Sequence, residues 1–180
     1  MAKLLKLRGK AMQNAVPKGE GGMVAILGED IKKINELIEN NKSKSANLLI
    51  IGGGISAYKS LDLIRLLQRK DCSVKVILTK TGKKFVTSLS ISSLSKNRVF
   101  EDTFGDKNSG KMDHISLSRW ADATIVLPST ANFMSKLSRG SADDLATTVI
   151  LASDKETFLI PAMNVRMWEH KATQKNLKTL

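Results

Sequence analysis

From residue 47 onward, short unbroken apolar runs alternate with longer segments in which apolar residues recur every three or four positions. LLII at 48–51 stops at a glycine cluster, SVKVIL at 73–78 runs into Thr79-Lys80, and ADATIVLP at 121–128 and TFLI at 157–160 each close on a proline. Apolar runs of this length, bounded by turn residues, predict four buried strands. AYKSLDLIRLLQRK sets Leu61, Ile64 and Leu67 on one face with charge opposite, which predicts an amphipathic helix whose apolar face is either core or interface. A weaker helical region runs from Lys83 through TSLSISSLS, where serines compete with the helix for backbone partners and blur its ends. ANFMSKLSRG, ADDLATTVILAS and KATQKNLKTL predict three more helices. Strands alternating with helices imply parallel pairing through right-handed crossovers, hence an α/β open sheet with helices on both faces.

The first 45 residues are patterned differently. Lysine and glutamate are dense, PKGEGG interrupts the text, Ile31, Ile34, Leu37 and Ile38 follow at helical spacing, and NNKSKS at 40–45 reads as a linker. The expected organisation is a loosely ordered extension over 1–45, not an independent domain, and one domain over 46–180. The polar stretch at 101–111, with two glycines and no periodicity, predicts a mobile surface loop.

Charge and composition narrow the classes of function. The 180 residues carry a net charge of +12, but it is spread along the chain with no basic tail, and only 4% of residues are aromatic. That pattern speaks against nucleic-acid binding and leaves phosphorylated ligands as the simplest use of the excess. One cysteine, Cys72, excludes an internal disulfide, and with two histidines it gives no basis for a metal site. No apolar run is long enough to span a bilayer, and MAKLLKLRGK interleaves charge where a signal peptide needs an unbroken apolar stretch, so a cytoplasmic protein is expected.

In an open α/β sheet, ligands bind at the carboxyl ends of strands. The four turns there are GGGIS, TKTGKKF, PSTAN and PAMN. Gly52-Gly53-Gly54-Ile55-Ser56 leads from a strand into a helix N-terminus, where free N–H groups and the helix dipole favour a phosphate. Gly52, Gly54 and Ala57 satisfy G-x-G-x-x-A, yet the acidic residue that would hold a ribose after the second strand is replaced by Thr79-Lys80. A mononucleotide fits better than a dinucleotide, and a purely structural tight turn remains open. PSTAN suits either helix capping or close approach of a polar ring edge. Asp143 and Asp144 read as helix-start charges or as catalytic acids. His114, at a predicted helix start, is either structural or a proton carrier near neutral pH. Cys72 and His170 read as bystanders.

Five segments in order, GGGISAYKS, VILTKTGKKFV, MDHISLSRWAD, PSTANFMSKLSRGSADDL and PAMNVRMWEH, give residues 47–180 a resemblance to the flavin-dependent cysteine decarboxylases, within them the phosphopantothenoylcysteine decarboxylase branch of coenzyme A biosynthesis. The resemblance implies a flavodoxin-like fold, FMN as cofactor, 4′-phosphopantothenoylcysteine as substrate, and a homotrimer or larger assembly with flavin sites between subunits. It assigns Gly53, Gly54, Ile55 and Thr79 to the flavin phosphate region, and Ser129, Thr130, Ala131, Asn132 and Ala162 to the flavin lining. His114 would be the acid or base, and Asn164 and Met167 would face the substrate. Such enzymes oxidise the thiol-bearing carbon of the cysteine so that its carboxylate can leave, then return a hydride to the enethiol.

The sequence departs from that pattern at Ile50 and Gly52, where the family usually has a glycine and a serine or threonine, and it ends at Leu180, ahead of the glycine-rich, cysteine-bearing flap of the family. Slow, incomplete turnover is the expectation, with a non-catalytic flavoprotein remnant as the first alternative and a basic nucleic-acid-binding module as the second. Residues 1–41 resemble an internal fragment of malonyl-CoA:acyl-carrier-protein transacylase, with Arg8 at the place of its malonyl-binding arginine. The G-x-S-x-G turn and catalytic histidine of that family are absent, so no acyl transfer is expected, and an in-frame fusion of two fragments is implied.

Overall fold

The computed structural model describes residues 45–101 and 113–180. The expected loose extension, the linker and nearly all of the predicted 101–111 loop lie outside these residues.

Five parallel strands form the sheet: β1 (Ala46–Ile51), β2 (Ser73–Leu78), β3 (Val99–Glu101), β4 (Ala123–Ser129) and β5 (Thr157–Pro161), in the order β3-β2-β1-β4-β5. The expected flavodoxin-like α/β sheet is thus observed, with one strand more than the apolar runs indicated. β3 pairs with β2 only through Val99, Phe100 and Glu101, too short a segment to show a periodicity of its own. The run at 121–128 is therefore the fourth strand, and it starts at Ala123.

The helices are α1 (Lys59–Arg69), α2 (Ser88–Ser95), α3 (Asp113–Trp120), α4 (Ala131–Ser138), α5 (Leu145–Leu151), α6 (Val165–Glu169) and α7 (Lys171–Thr179). Leu49, Ile51, Val74, Val76 and Leu78 project to one face of the sheet and pack with Leu63, Ile64 and Leu67 of α1 and Ile91 of α2. Leu48, Ile50, Ile77, Phe100 and Val126 project to the other and meet Leu117 of α3, Phe133 of α4, and Ala146 and Val149 of α5. Strand residues alternate between faces, so a strand flanked on both sides is apolar throughout. Ile64 and Leu67, 0% and 1% exposed, belong to the core, which decides the choice that the pattern left open.

The weak helical region after Lys83 is two elements. A 3-10 turn at Gly82–Lys84 is followed by α2, which starts afresh because the Thr87 hydroxyl accepts from Ser90 N at 3.1 Å. α6 had no separate signal; five residues are too few for periodicity, and its start is marked by Asn164, whose Oδ1 accepts from Met167 N at 2.8 Å.

Asp144 caps α5 through Thr147 N at 2.8 Å and pairs with Lys136 of α4 at 2.7 Å, while Asp143 reaches the same ammonium at 2.9 Å. Both acids therefore have structural work, which favours the helix-start reading over catalysis. Burial pushes the Asp144 carboxyl up, but the Lys136 and Thr147 hydrogen bonds outweigh it and the net shift is downward. Lys136 is raised, chiefly by its hydrogen bond to Asp144. A carboxyl depressed on folding stabilises above its unfolded pKa of about 3.9 and loses that contribution as pH falls through the folded value. Asp144→Ala should cost about 1–2 kcal/mol at pH 7. Urea unfolding should show the gap between the two proteins narrowing below about pH 4. An equal gap at pH 7 and pH 3 would contradict this.

Candidate functional site

The strand order reverses direction between β1 and β4, and the crevice outside their carboxyl ends is the ligand position of such a sheet. The turns there are interlocked. A Cβ on Gly52 would overlap the carbonyl oxygen of Pro128, and one on Gly54 would come within 3.3 Å of the Pro128 ring, so β4 walls the first turn. A Cβ on Gly53 would fall 2.6 Å from Thr81 Oγ1 and 3.0 Å from its carbonyl carbon, so the second turn presses on the other side. Gly52 and Gly53 are required by close approach. At Gly52, one of the two positions where the sequence departs from the pattern it resembles, the backbone lies directly against Pro128.

Thr79 ties the first two turns together. Its hydroxyl donates to Ile51 O at 2.8 Å and accepts from Gly82 N at 3.1 Å. The one hydroxyl hydrogen is thereby used inside the protein, leaving Thr79 to shape the loop. Beyond Gly54 the chain makes a 3-10 turn at Ile55–Tyr58 before α1 begins, and Ile55 is 82% exposed.

On the β4 side the ladder to β5 shifts register between Val126 and Ser129, at Leu127-Pro128. Irregularities of this kind re-aim side chains beside functional sites. Ser129 lies just beyond the shift, fully buried, and its hydroxyl has no hydrogen-bond partner among the described residues. Its carbonyl accepts from Ala162 N at 3.1 Å, which joins PSTAN to PAMN. Thr130 caps α4 through Phe133 N at 3.2 Å, so the capping reading holds for that residue. Ala131 packs with Met134, Met163 and Trp168, and Asn132 is exposed on the first turn of α4. Asn164 and Met167 are exposed. The Asn164 side chain spends Oδ1 on the α6 cap and makes no other hydrogen bond among the described residues, which leaves its Nδ2 hydrogens available.

The structure therefore brings together Gly53, Gly54, Thr79, Ser129, Thr130, Ala131 and Ala162 by direct contact or chain continuity, with Ile55, Asn132, Asn164 and Met167 at their borders. His114, the second residue of α3, is half-buried and its side chain makes no hydrogen bond within the described residues. Cys72 is buried at the opposite, amino-terminal end of β2 against Ser45, away from the crevice. His170 caps α7, accepting from Ala172 N at 3.2 Å. Pattern reading missed Pro128 as the wall of the glycine turn and Thr81 as its second wall. The proline in PSTAN was the available signal, since a proline ending a strand marks a break in its ladder.

This arrangement, a glycine turn at the switch point with an unpartnered buried hydroxyl beside it, suits a polar, anion-bearing ligand. A family model described as Flavoprotein matches residues 35–180. The chain belongs to the Flavoprotein family. Within that family it is 43% identical over 130 residues to the coenzyme A biosynthesis bifunctional protein CoaBC of Haemophilus influenzae, covering 72% of this chain and 32% of that protein. To its counterpart in Bacillus subtilis it is 41% identical over 133 residues, covering 74% and 33%. The chain thus spans about a third of the curated relatives it matches. Among solved structures of similar fold are the FMN-dependent cysteine decarboxylase SpaF, with a TM-score of 0.71 and 27% identity over 77% of this chain and 79% of that one. A mutant PPC decarboxylase complexed with pantothenoylaminoethenethiol has a TM-score of 0.66 and 32% identity, covering 76% and 77%. Among the described residues no helix is long and apolar enough to cross a membrane, and no group of three or more His, Cys, Asp or Glu is placed to hold a metal ion.

Proposed function

We propose that this chain binds FMN in the crevice between β1 and β4 and decarboxylates the cysteine of 4′-phosphopantothenoylcysteine. The observation that carries the reading is the fully buried Ser129 hydroxyl at the switch point, without a partner among the described residues, beside a turn walled too tightly for a side chain at Gly52 or Gly53. A buried hydroxyl without a partner is costly, and a bound polar ring edge would relieve that cost. The Ser56 hydroxyl in the first turn, also without a partner among the described residues, adds a second donor on the phosphate side. The identity to a PPC decarboxylase supports this substrate.

Gly53, Gly54 and Ile55 would hold the cofactor phosphate through backbone N–H groups, with Thr79 fixing the turn. Ser129, Thr130, Ala131, Asn132 and Ala162 would line its ring. When bound, FMN supplies the two-electron oxidation of the thiol-bearing carbon that makes loss of the carboxylate feasible. Asn164 offers Nδ2 to the carboxylate without the full charge pairing that would favour the ground state, and Met167 supplies apolar contact. His114 accepts a proton from the cysteine side chain or returns it.

The site is borne on a surface with exposed apolar residues. Ile55, Tyr58, Phe85 and Leu89 stand open to solvent on the first two strand-end turns and the helices they lead into, and a second copy of this chain is the occupant we assign. The assembly is a homotrimer or larger; light scattering that gave a strict monomer at micromolar concentration would count against it.

The test of function is carbon dioxide release from 4′-phosphopantothenoylcysteine by FMN-loaded protein. Release that needs both FMN and protein is expected. Tight FMN binding with no release under any condition would favour the non-catalytic flavoprotein instead.

A further inference from the structure

α3 carries His114 but has little to hold it in place by itself. Eight residues make a helix of about 12 Å, too short to be stable alone, so its orientation comes from what it packs against. Besides its packing on α5 through Leu117, three contacts on the β2–β3 side hold it along its length. At the first residue, Arg98 donates from Nη2 to Asp113 Oδ1 at 2.9 Å. One turn on, Leu117 is buried in the same cluster as Phe100 of β3. At the last residue, the Lys75 ammonium lies over the Trp120 ring, 4.2 Å from its centroid.

The Arg98 contact is the one that acts beside His114. Asp113 is its immediate neighbour in sequence, and this is the only ion pair made by α3 among the described residues. Arg98 is itself held, because its guanidinium stacks over the Phe100 ring at 4.3 Å, immediately before β3. A planar guanidinium can stack and donate at once. Among the described residues the His114 side chain has no hydrogen bond of its own to correct a displaced helix start.

We propose that Arg98, through Asp113, is a positioning residue for His114. This rests on the decarboxylase reading of the site. The pair is 65% and 25% exposed, and pairs so exposed contribute little to stability, so variants that break it should fold.

The experiment uses the full chain loaded with FMN and compares Arg98→Ala and Arg98→Lys with wild type. Arg98→Ala should lower the kcat of carbon dioxide release about 10- to 100-fold, as small misplacements of a reacting group do. KM and FMN affinity should stay within about twofold, and Arg98→Lys should recover part of the rate by restoring a charge opposite Asp113. The second readout needs no turnover. In protein labelled with 13C at histidine Cε1, the His114 signal, identified by its loss in His114→Asn, should shift or broaden in Arg98→Ala and return towards its original position in Arg98→Lys, with His170 unmoved. An Arg98→Ala protein with the wild-type rate, or with an unchanged His114 signal, overturns the inference. If wild type releases no carbon dioxide, the decarboxylase reading fails by itself, and the His114 signal still decides whether Arg98 places that side chain.

Discussion

Replacing His114 by asparagine is expected to reduce carbon dioxide release from 4′-phosphopantothenoylcysteine by about 100- to 10,000-fold, the span typical of a lost general acid or base. Asparagine keeps a polar amide of similar size but can neither take nor give a proton near neutral pH. The His114 side chain is half-buried and makes no hydrogen bond among the described residues, so the substitution leaves none of them without a partner. Folding and FMN affinity should therefore be retained, and the loss should fall on kcat. Single-turnover measurement of carbon dioxide with isotopically labelled substrate checks it; a rate within threefold of wild type would remove His114 from the chemistry.

Gly53→Ala should be nearly as damaging, for a different reason. Its added methyl would be driven against both the side chain and the backbone of Thr81, and a backbone atom cannot move aside without displacing the second turn. Overpacking of this kind costs about 1–3 kcal/mol. The displaced turn should also weaken FMN binding by at least about tenfold, because the backbone N–H groups of the first turn must converge on the phosphate. Gly140→Ala separates the two effects. Gly140 has φ +67° with open space around it, so alanine there is strained but touches nothing and lies outside the cofactor site. It should cost about 1 kcal/mol in urea unfolding and leave FMN affinity unchanged. Equal losses of FMN affinity in the two variants would mean that general destabilisation, not the walled turn, controls binding.

What could be read from the sequence followed burial. β1, β2 and β5 are apolar runs ended by glycine, threonine or proline, and strands covered on both faces must read that way. α1 was legible because one face meets the core through Leu63, Ile64 and Leu67 while Asp62, Arg65 and Arg69 remain outside. β3 and α6 were not, since three and five residues cannot display a period, and both are fixed by neighbours: β3 by its ladder to β2, α6 by the Asn164 cap and Trp168 in its apolar cluster. At the site, the four turns were visible because the alternation of strands and helices says where carboxyl ends must lie. Their mutual contacts were not. That Gly53 abuts Thr81, that Gly52 abuts Pro128 and that Ala162 bonds Ser129 depend on which strands become neighbours, and local patterning does not encode the order β3-β2-β1-β4-β5. Arg98 was invisible for the same reason, as its partner Asp113 lies fifteen positions away.

The central claim, that the crevice between β1 and β4 is an FMN site, is tested most directly by titrating the purified protein with FMN and following quenching of the flavin fluorescence. Saturable binding of one FMN per chain, weakened in Gly53→Ala and in Ser129→Ala, is the predicted result. A colourless protein that takes up no added FMN, or binding untouched by both substitutions, would contradict it.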